Sequence, residues 1–230
     1  MNDLKKLVRD VPDFPKKGIL FKDITTLLQN PKGLRDAVET ISTYYKNKKV
    51  DIVVGAEARG FILAPVIAFN LGAGFTPIRK PGKLPYEKIS MSYALEYGTD
   101  TLEIHKDGVR KGQQVLMVDD LLATGGTMSA CCKLVESLGG NIIGCAFLIE
   151  LTSLNGKKAL NNYDLFSVIK YCPPPTHCGF FSQIGKTKDI IHHYFKVISI
   201  DWPSFQILLN TFTFLSASIT CFSIHIITSL

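Results

Sequence analysis

An apolar run, Val115-Leu116-Met117-Val118, ends on two adjacent carboxylates, Asp119 and Asp120, and passes through Leu121-Leu122 into Ala123-Thr124-Gly125-Gly126-Thr127. From Met128 to Val135 the residue spacing suits a helix. A buried strand that runs into a helix N-terminus presents free backbone N–H groups and the positive end of the helix dipole, which together hold a phosphate. Thr124 and Thr127 add hydroxyls, and glycine at 125 and 126 lets the backbone approach an anion in conformations closed to other residues. Asp119 and Asp120 can accept hydrogen bonds from the vicinal hydroxyls of a ribose. The chemistry predicted by this string is the binding of a sugar phosphate. Two other phosphate motifs do not fit. Gly185-Lys186-Thr187 follows Gly179 with five intervening residues, where a Walker A loop needs four. No Gly-x-Gly-x-x-Gly follows a predicted strand, so a dinucleotide fold is unsupported.

Other segments could bring charge to the same place. Arg79, Lys80 and Lys83 surround a Pro81-Gly82 turn after the apolar Phe75 to Ile78. Cations at the carboxyl edge of a sheet suit a pyrophosphate, with arginine offering a planar fork and lysine a point charge. Glu57-Ala58-Arg59-Gly60 follows a second apolar run, Asp51 to Gly55. Glu96 stands beside Tyr97 and Gly98 in a polar stretch that reads as a hairpin tip.

With these residues in view, Val-Asp-Asp-Leu-Leu-Ala-Thr-Gly-Gly-Thr resembles the phosphoribosyl-pyrophosphate (PRPP) motif of type I phosphoribosyltransferases, and its Leu-Leu-Ala variant resembles the adenine-specific family among them. Further blocks match in order: Asp13-Phe14-Pro15 with Gly18 to Ile24, Gly55 to Phe61, Ile78 to Lys80 with Gly82 to Pro85, Tyr93 to Gly98, and Glu150 to Gly156. The resemblance covers about residues 3–171. It implies a glycosyl transfer in which adenine and PRPP give AMP and pyrophosphate, as in purine salvage. It assigns Asp119, Asp120 and Ala123 to Thr127 to the ribose and 5-phosphate. It gives Arg59, Arg79, Lys80 and Lys83 to pyrophosphate, with Arg59 in a Glu57 to Gly60 turn that often carries a non-proline cis peptide. Leu20, Phe21 and Leu121 would hold the adenine ring, and Glu96, with Tyr97 in the flap, would manage its proton. Magnesium would arrive on the substrate, without a direct protein ligand, and the chain would act as a homodimer. Lys22 stands where many relatives carry arginine, which leaves any role for that side chain unassigned. Three other readings remain open: a phosphoribosyltransferase for another base, a regulator that only senses the ligand, and a poorly active isoform burdened by its carboxyl-terminal segment.

The elements that must position these groups follow from apolar runs and breakers. Helices are predicted over Asp3 to Arg9, in a short stretch capped by Asp23-Ile24-Thr25, from Pro31 to Tyr45, from Phe61 to Leu71 and from Met128 to Ser137. Strands are predicted at Asp51 to Gly55, Phe75 to Ile78, Val115 to Val118, Asn141 to Glu150 and Asp164 to Ile169. Glu87 to Tyr97 and Asp100 to Ile104 would form an antiparallel flap, and Pro12 and Pro15 an extended connector. Alternating strands and helices predict an α/β fold with an open, mostly parallel sheet and ligands at the strands' carboxyl ends.

The chain has 230 residues, 46% of them hydrophobic, and a net charge of +6. It reads as a phosphoribosyltransferase domain over 1–171 and an extension over 172–230. Basic residues are not interleaved with aromatics, so nucleic-acid binding is not expected. The first ten residues lack the apolar core of a signal peptide, which predicts a cytoplasmic protein with reduced cysteines. Cys172, His177, Cys178, His192 and His193 have none of the common zinc spacings. No Asp, Glu, Lys or Arg follows Asp201. The extension reads foremost as non-native, with a packed appendage and a membrane-crossing tail at 207–230 as the other two readings.

Overall fold

The computed structural model describes residues 2–95 and 98–172, all within the unit Met1–Pro173. The expectations for Glu96, Tyr97 and residues 173–230, including membrane contact by 207–230, lie outside the described residues. Among the described residues, no helix is long and apolar enough to cross a membrane.

A parallel five-stranded sheet forms the centre. Its strands are β3 (Ile52–Ala56), β4 (Gly74–Ile78), β7 (Gln114–Leu122), β8 (Asn141–Leu151) and β9 (Leu165–Tyr171), in the order β4-β3-β7-β8-β9. Every residue of β3 is buried, as expected of a parallel strand covered on both faces. One face carries α3 (Pro31–Tyr45) and α4 (Gly60–Leu71), which bury Val38, Ile41, Leu63 and Ile67 against it. The other carries α5 (Gly126–Ser137), which buries Cys131, Leu134 and Val135. Pro31 opens α3, and the Asn30 side chain caps it by accepting from the Gly33 N–H at 2.9 Å. Cap and proline start the helix where its first N–H groups need no intrahelical partner.

A second, antiparallel pair, β5 (Lys88–Leu95) and β6 (Gly98–His105), stands beside the sheet edge. Its register pairs Leu95 with Gly98. Arg79 and Glu103 exchange backbone hydrogen bonds of 2.9 and 2.8 Å, which join β6 to the chain leaving β4.

Three sequence expectations need correction. The region of Pro12 is more than a connector: β1 (Arg9–Pro12) and β2 (Leu20–Asp23) form an antiparallel pair. Pro12 sits at the last position of an edge strand, where a missing N–H does no harm. The first helix, α1 (Asn2–Lys6), stops before Arg9, which belongs to β1. Strand β7 does not end at Val118 but continues to Leu122, with Leu121 and Leu122 in register with Ile149 and Glu150. The carboxylate pair therefore lies within a strand rather than just beyond one. Cys131, Cys132 and Cys145 are buried free thiols, as their apolar surroundings predict, and Cys172 is exposed.

Candidate active site

The carboxyl ends of β3, β4 and β7, the start of α5 and the β5–β6 pair enclose a cavity of about 540 Å³. Strand β7 supplies Asp119, Asp120 and Leu121, and the loop after it supplies Ala123 to Thr127. Gly125 takes the left-handed conformation at φ 83°, and Gly126 is the first residue of α5. Of the two loop glycines, Gly125 is thus the one with a turn conformation to satisfy. The first turn of α5 points N–H groups without intrahelical partners toward the loop's concave side.

The turn from β3 to α4 supplies Glu57, Ala58 and Arg59, and the Glu57–Ala58 peptide is cis. Arg59 Nε lies 2.9 Å from Asp120 Oδ2, and its guanidinium sits 5.0 Å from the centre of the Phe21 ring. Phe21 comes from β2 and, like Leu121, lines the cavity. Lys80 enters from the chain after β4 and pairs with Asp100 of β6. The Tyr93 hydroxyl of β5 is 3.3 Å from Asp100 Oδ2 and 3.2 Å from Thr127 Oγ1.

The cavity brings together Phe21, Arg59, Lys80, Asp119, Asp120, Leu121 and Ala123 to Thr127 from the sequence expectations. Leu20, Arg79 and Lys83 are not among its lining residues. Leu20 is half-exposed on β2. Arg79 Nε is 3.3 Å from Glu57 Oε2, and the Lys83 ammonium pairs with the other oxygen of that carboxylate. The sequence reading gave no role to Glu57, Tyr93 or Asp100. The cross-strand pair was within reach, because Tyr93 and Asp100 stand opposite one another in the β5–β6 register.

Charge is unevenly held. Burial pushes the Asp119 carboxyl well above its ordinary range, and the neighbouring Asp120 charge pushes the same way. Burial also raises Asp120, against the pull of Arg59. Burial works against the charge on Glu57 as well, but Lys83, the Lys80 N–H and Arg79 outweigh it and hold that carboxyl low. Lys80 holds Asp100 low, with help from the Thr101 N–H and Tyr93. Among the described residues, no group of three or more His, Cys, Asp or Glu side chains could cage a metal ion.

The phosphoribosyl transferase domain family matches residues 23–178. An adenine phosphoribosyltransferase of Solibacter usitatus is 57% identical over 171 residues, spanning 74% of this chain and 99% of the relative. The crystal structure of adenine phosphoribosyltransferase from Thermoanaerobacter pseudethanolicus is 53% identical, covers 74% of this chain and 99% of that one, and superposes with a TM-score of 0.72. The Saccharomyces cerevisiae enzyme, crystallised with an imino-altritol bisphosphate and adenine, is 38% identical over 73% of this chain and 97% of its own, with a TM-score of 0.69. Sequence and backbone agree across nearly the whole length of these relatives, and on that ground the chain belongs to the adenine phosphoribosyltransferase family.

Proposed function

We propose that the chain transfers the 5-phosphoribosyl group of PRPP to N9 of adenine, releasing pyrophosphate and forming AMP for purine salvage. One observation carries this reading: the carboxylate pair, the helix-capping glycine loop and the apolar side chains Phe21 and Leu121 line a single cavity. The 5-phosphate rests on the amides of Ala123 to Thr127 and on the Thr124 and Thr127 hydroxyls. Asp119 and Asp120 accept from the ribose hydroxyls, so binding energy far from C1 positions the reacting carbon. Pyrophosphate lies toward Arg59 and Lys80, with Arg79 and Lys83 joining them as they leave Glu57. Adenine enters between Phe21 and Leu121, and the main chain at Leu20 reads its edge. As N9 bonds to C1 the base gains positive charge. Glu96 near N7 takes up the proton that the base must lose to become AMP, with Tyr97 next to it in the chain. The β5–β6 pair closes over a cation-like sugar that water would otherwise attack. Magnesium would be held on the substrate rather than by a protein side chain and would supply charge neutralisation to the leaving group.

The proposed assembly is a homodimer in the cytoplasm. Its support is α4, whose outward row Ile62, Val66 and Phe69 is exposed, Phe69 at 84%. A helix apolar on all sides is normally covered on all sides.

A base panel tests the activity. The purified full-length chain, given PRPP and magnesium, is expected to convert adenine to AMP with stoichiometric pyrophosphate, and to leave hypoxanthine, guanine and orotate essentially unused. Turnover of one of those bases in preference to adenine would replace the reading.

A further inference from the structure

Glu150, next to last in β8, is buried and lies in register with Leu122 at the end of β7. The chain then makes two tight turns, Thr152–Leu154 and Gly156–Leu160, joined by Asn155 in the left-handed conformation. Gly156 is buried against the phosphate loop. A Cβ added to Gly156 would lie 2.3 Å from the Ala123 carbonyl oxygen and 2.9 Å from Leu122 Cδ1. The contact is reciprocal: a Cβ on Gly125 would lie 2.5 Å from the Gly156 carbonyl oxygen and 3.0 Å from the Ala159 side chain. Two backbones therefore meet with no room for a side chain on either.

The segment behind the loop is itself fastened. Lys157 Nζ stands 3.2 Å from Glu150 Oε1, closing the turn onto the strand that carries it. The Lys158 N–H donates to the Asn155 carbonyl at 2.9 Å. Thr152 Oγ1 donates to the Tyr171 carbonyl at 3.0 Å, tying the turn to β9. Leu160 is fully buried in the same apolar cluster as Leu122 and Met128. An anion site built from amides depends on those amides being fixed before the ligand arrives.

We propose that the 150–160 segment is the rear wall of the phosphate loop, with Gly156 a positioning residue that fixes the Ala123 to Thr127 amides for the 5-phosphate. This rests on the functional reading above and deepens it. Gly156 is not among the residues that line the cavity. It acts through the Ala123 carbonyl and the Gly125 turn.

The test compares Gly156→Ala, Lys157→Met and a core control, Ile41→Val on α3, in the full-length chain. The readouts are the KM values for PRPP and adenine, the affinity for ribose 5-phosphate by titration calorimetry, and the melting temperature. Gly156→Ala is expected to raise the KM for PRPP by about tenfold or more, since small displacements of positioning groups are costly. Its ribose 5-phosphate affinity should fall in parallel, with the KM for adenine little changed. Lys157→Met should move the same quantities in the same direction by less. Ile41→Val should lower the melting temperature without changing the ratio of the two KM values. Should Gly156→Ala fail to fold, Lys157→Met decides: unchanged ribose 5-phosphate affinity overturns the proposal. It is equally overturned if Gly156→Ala shifts both KM values alike or leaves them unchanged. Wild-type protein that does not bind ribose 5-phosphate would sink the functional reading itself. Wild-type binding with unaltered affinity in both loop variants sinks the rear-wall role alone.

Discussion

Asp119 carries the largest electrostatic burden in the cavity. Burial and the adjacent Asp120 raise its pKa, so the folded chain holds this proton to higher pH than the unfolded chain does. The sign follows: stability falls as pH climbs from the ordinary carboxylate range through the raised value, and is flat above it. Asp119→Asn keeps the acceptor for the Asp120 N–H, now made at 2.9 Å, and removes that slope. By calorimetry at neutral pH, the variant is expected to melt at least about 2 °C above wild type, the shift that roughly 1 kcal/mol gives at this size. Near about pH 4, where the unfolded carboxyl is half-protonated, the two should converge. Turnover should collapse, the usual cost of a destabilised functional group. A variant that melts below wild type at neutral pH would contradict the account. The carboxylates and cations themselves were legible in the sequence, because their types and spacing announce anion and hydroxyl binding. Their partners were not. Lys80 meets Asp100, and Arg79 and Lys83 share Glu57, only because β6 and the turn after β3 fold onto the chain after β4.

At the scale of elements, the β5–β6 pair is tied to both ends of the cavity. Lys80 and Asp100 join it to the chain after β4, while Tyr93 and Thr127 join it to the start of α5. Tyr93→Phe removes the second tie without changing the ring's bulk. Loss of a net hydrogen bond worth about 0.5–1.5 kcal/mol corresponds to a rise of roughly twofold to tenfold in the KM for PRPP. Steady-state kinetics should show that rise with a smaller change in the KM for adenine; an unchanged KM for PRPP would separate flap and loop. Most elements were readable from their apolar pattern, since β3 is apolar and buried throughout, β7 opens on a buried apolar run, and α3 places its buried residues on one face. The misread boundaries share one cause. Pro12 and the Asp119-Asp120 pair look like strand breakers locally, yet Pro12 closes β1 in register with Leu20 and β7 runs on through the carboxylates in register with β8. Pairing between distant segments overrides local preference at such points.

At the scale of the whole molecule, α4 leaves Ile62, Val66 and Phe69 facing outward. Covering side chains of this size stabilises an interface by about 1.5–3 kcal/mol each if burial is complete. Light scattering should therefore find the wild type at twice the chain mass and Phe69→Lys shifted to single chains at low concentration. A wild type that stays monomeric at high concentration would remove the homodimer. The most direct check of the central claim is a crystal of the full-length chain grown with AMP. The account expects the phosphate on the amides of Ala123 to Thr127, the ribose hydroxyls on Asp119 and Asp120, and adenine between Phe21 and Leu121. A nucleotide bound with its phosphate away from that loop, or with Asp119 and Asp120 turned from the sugar, would contradict it.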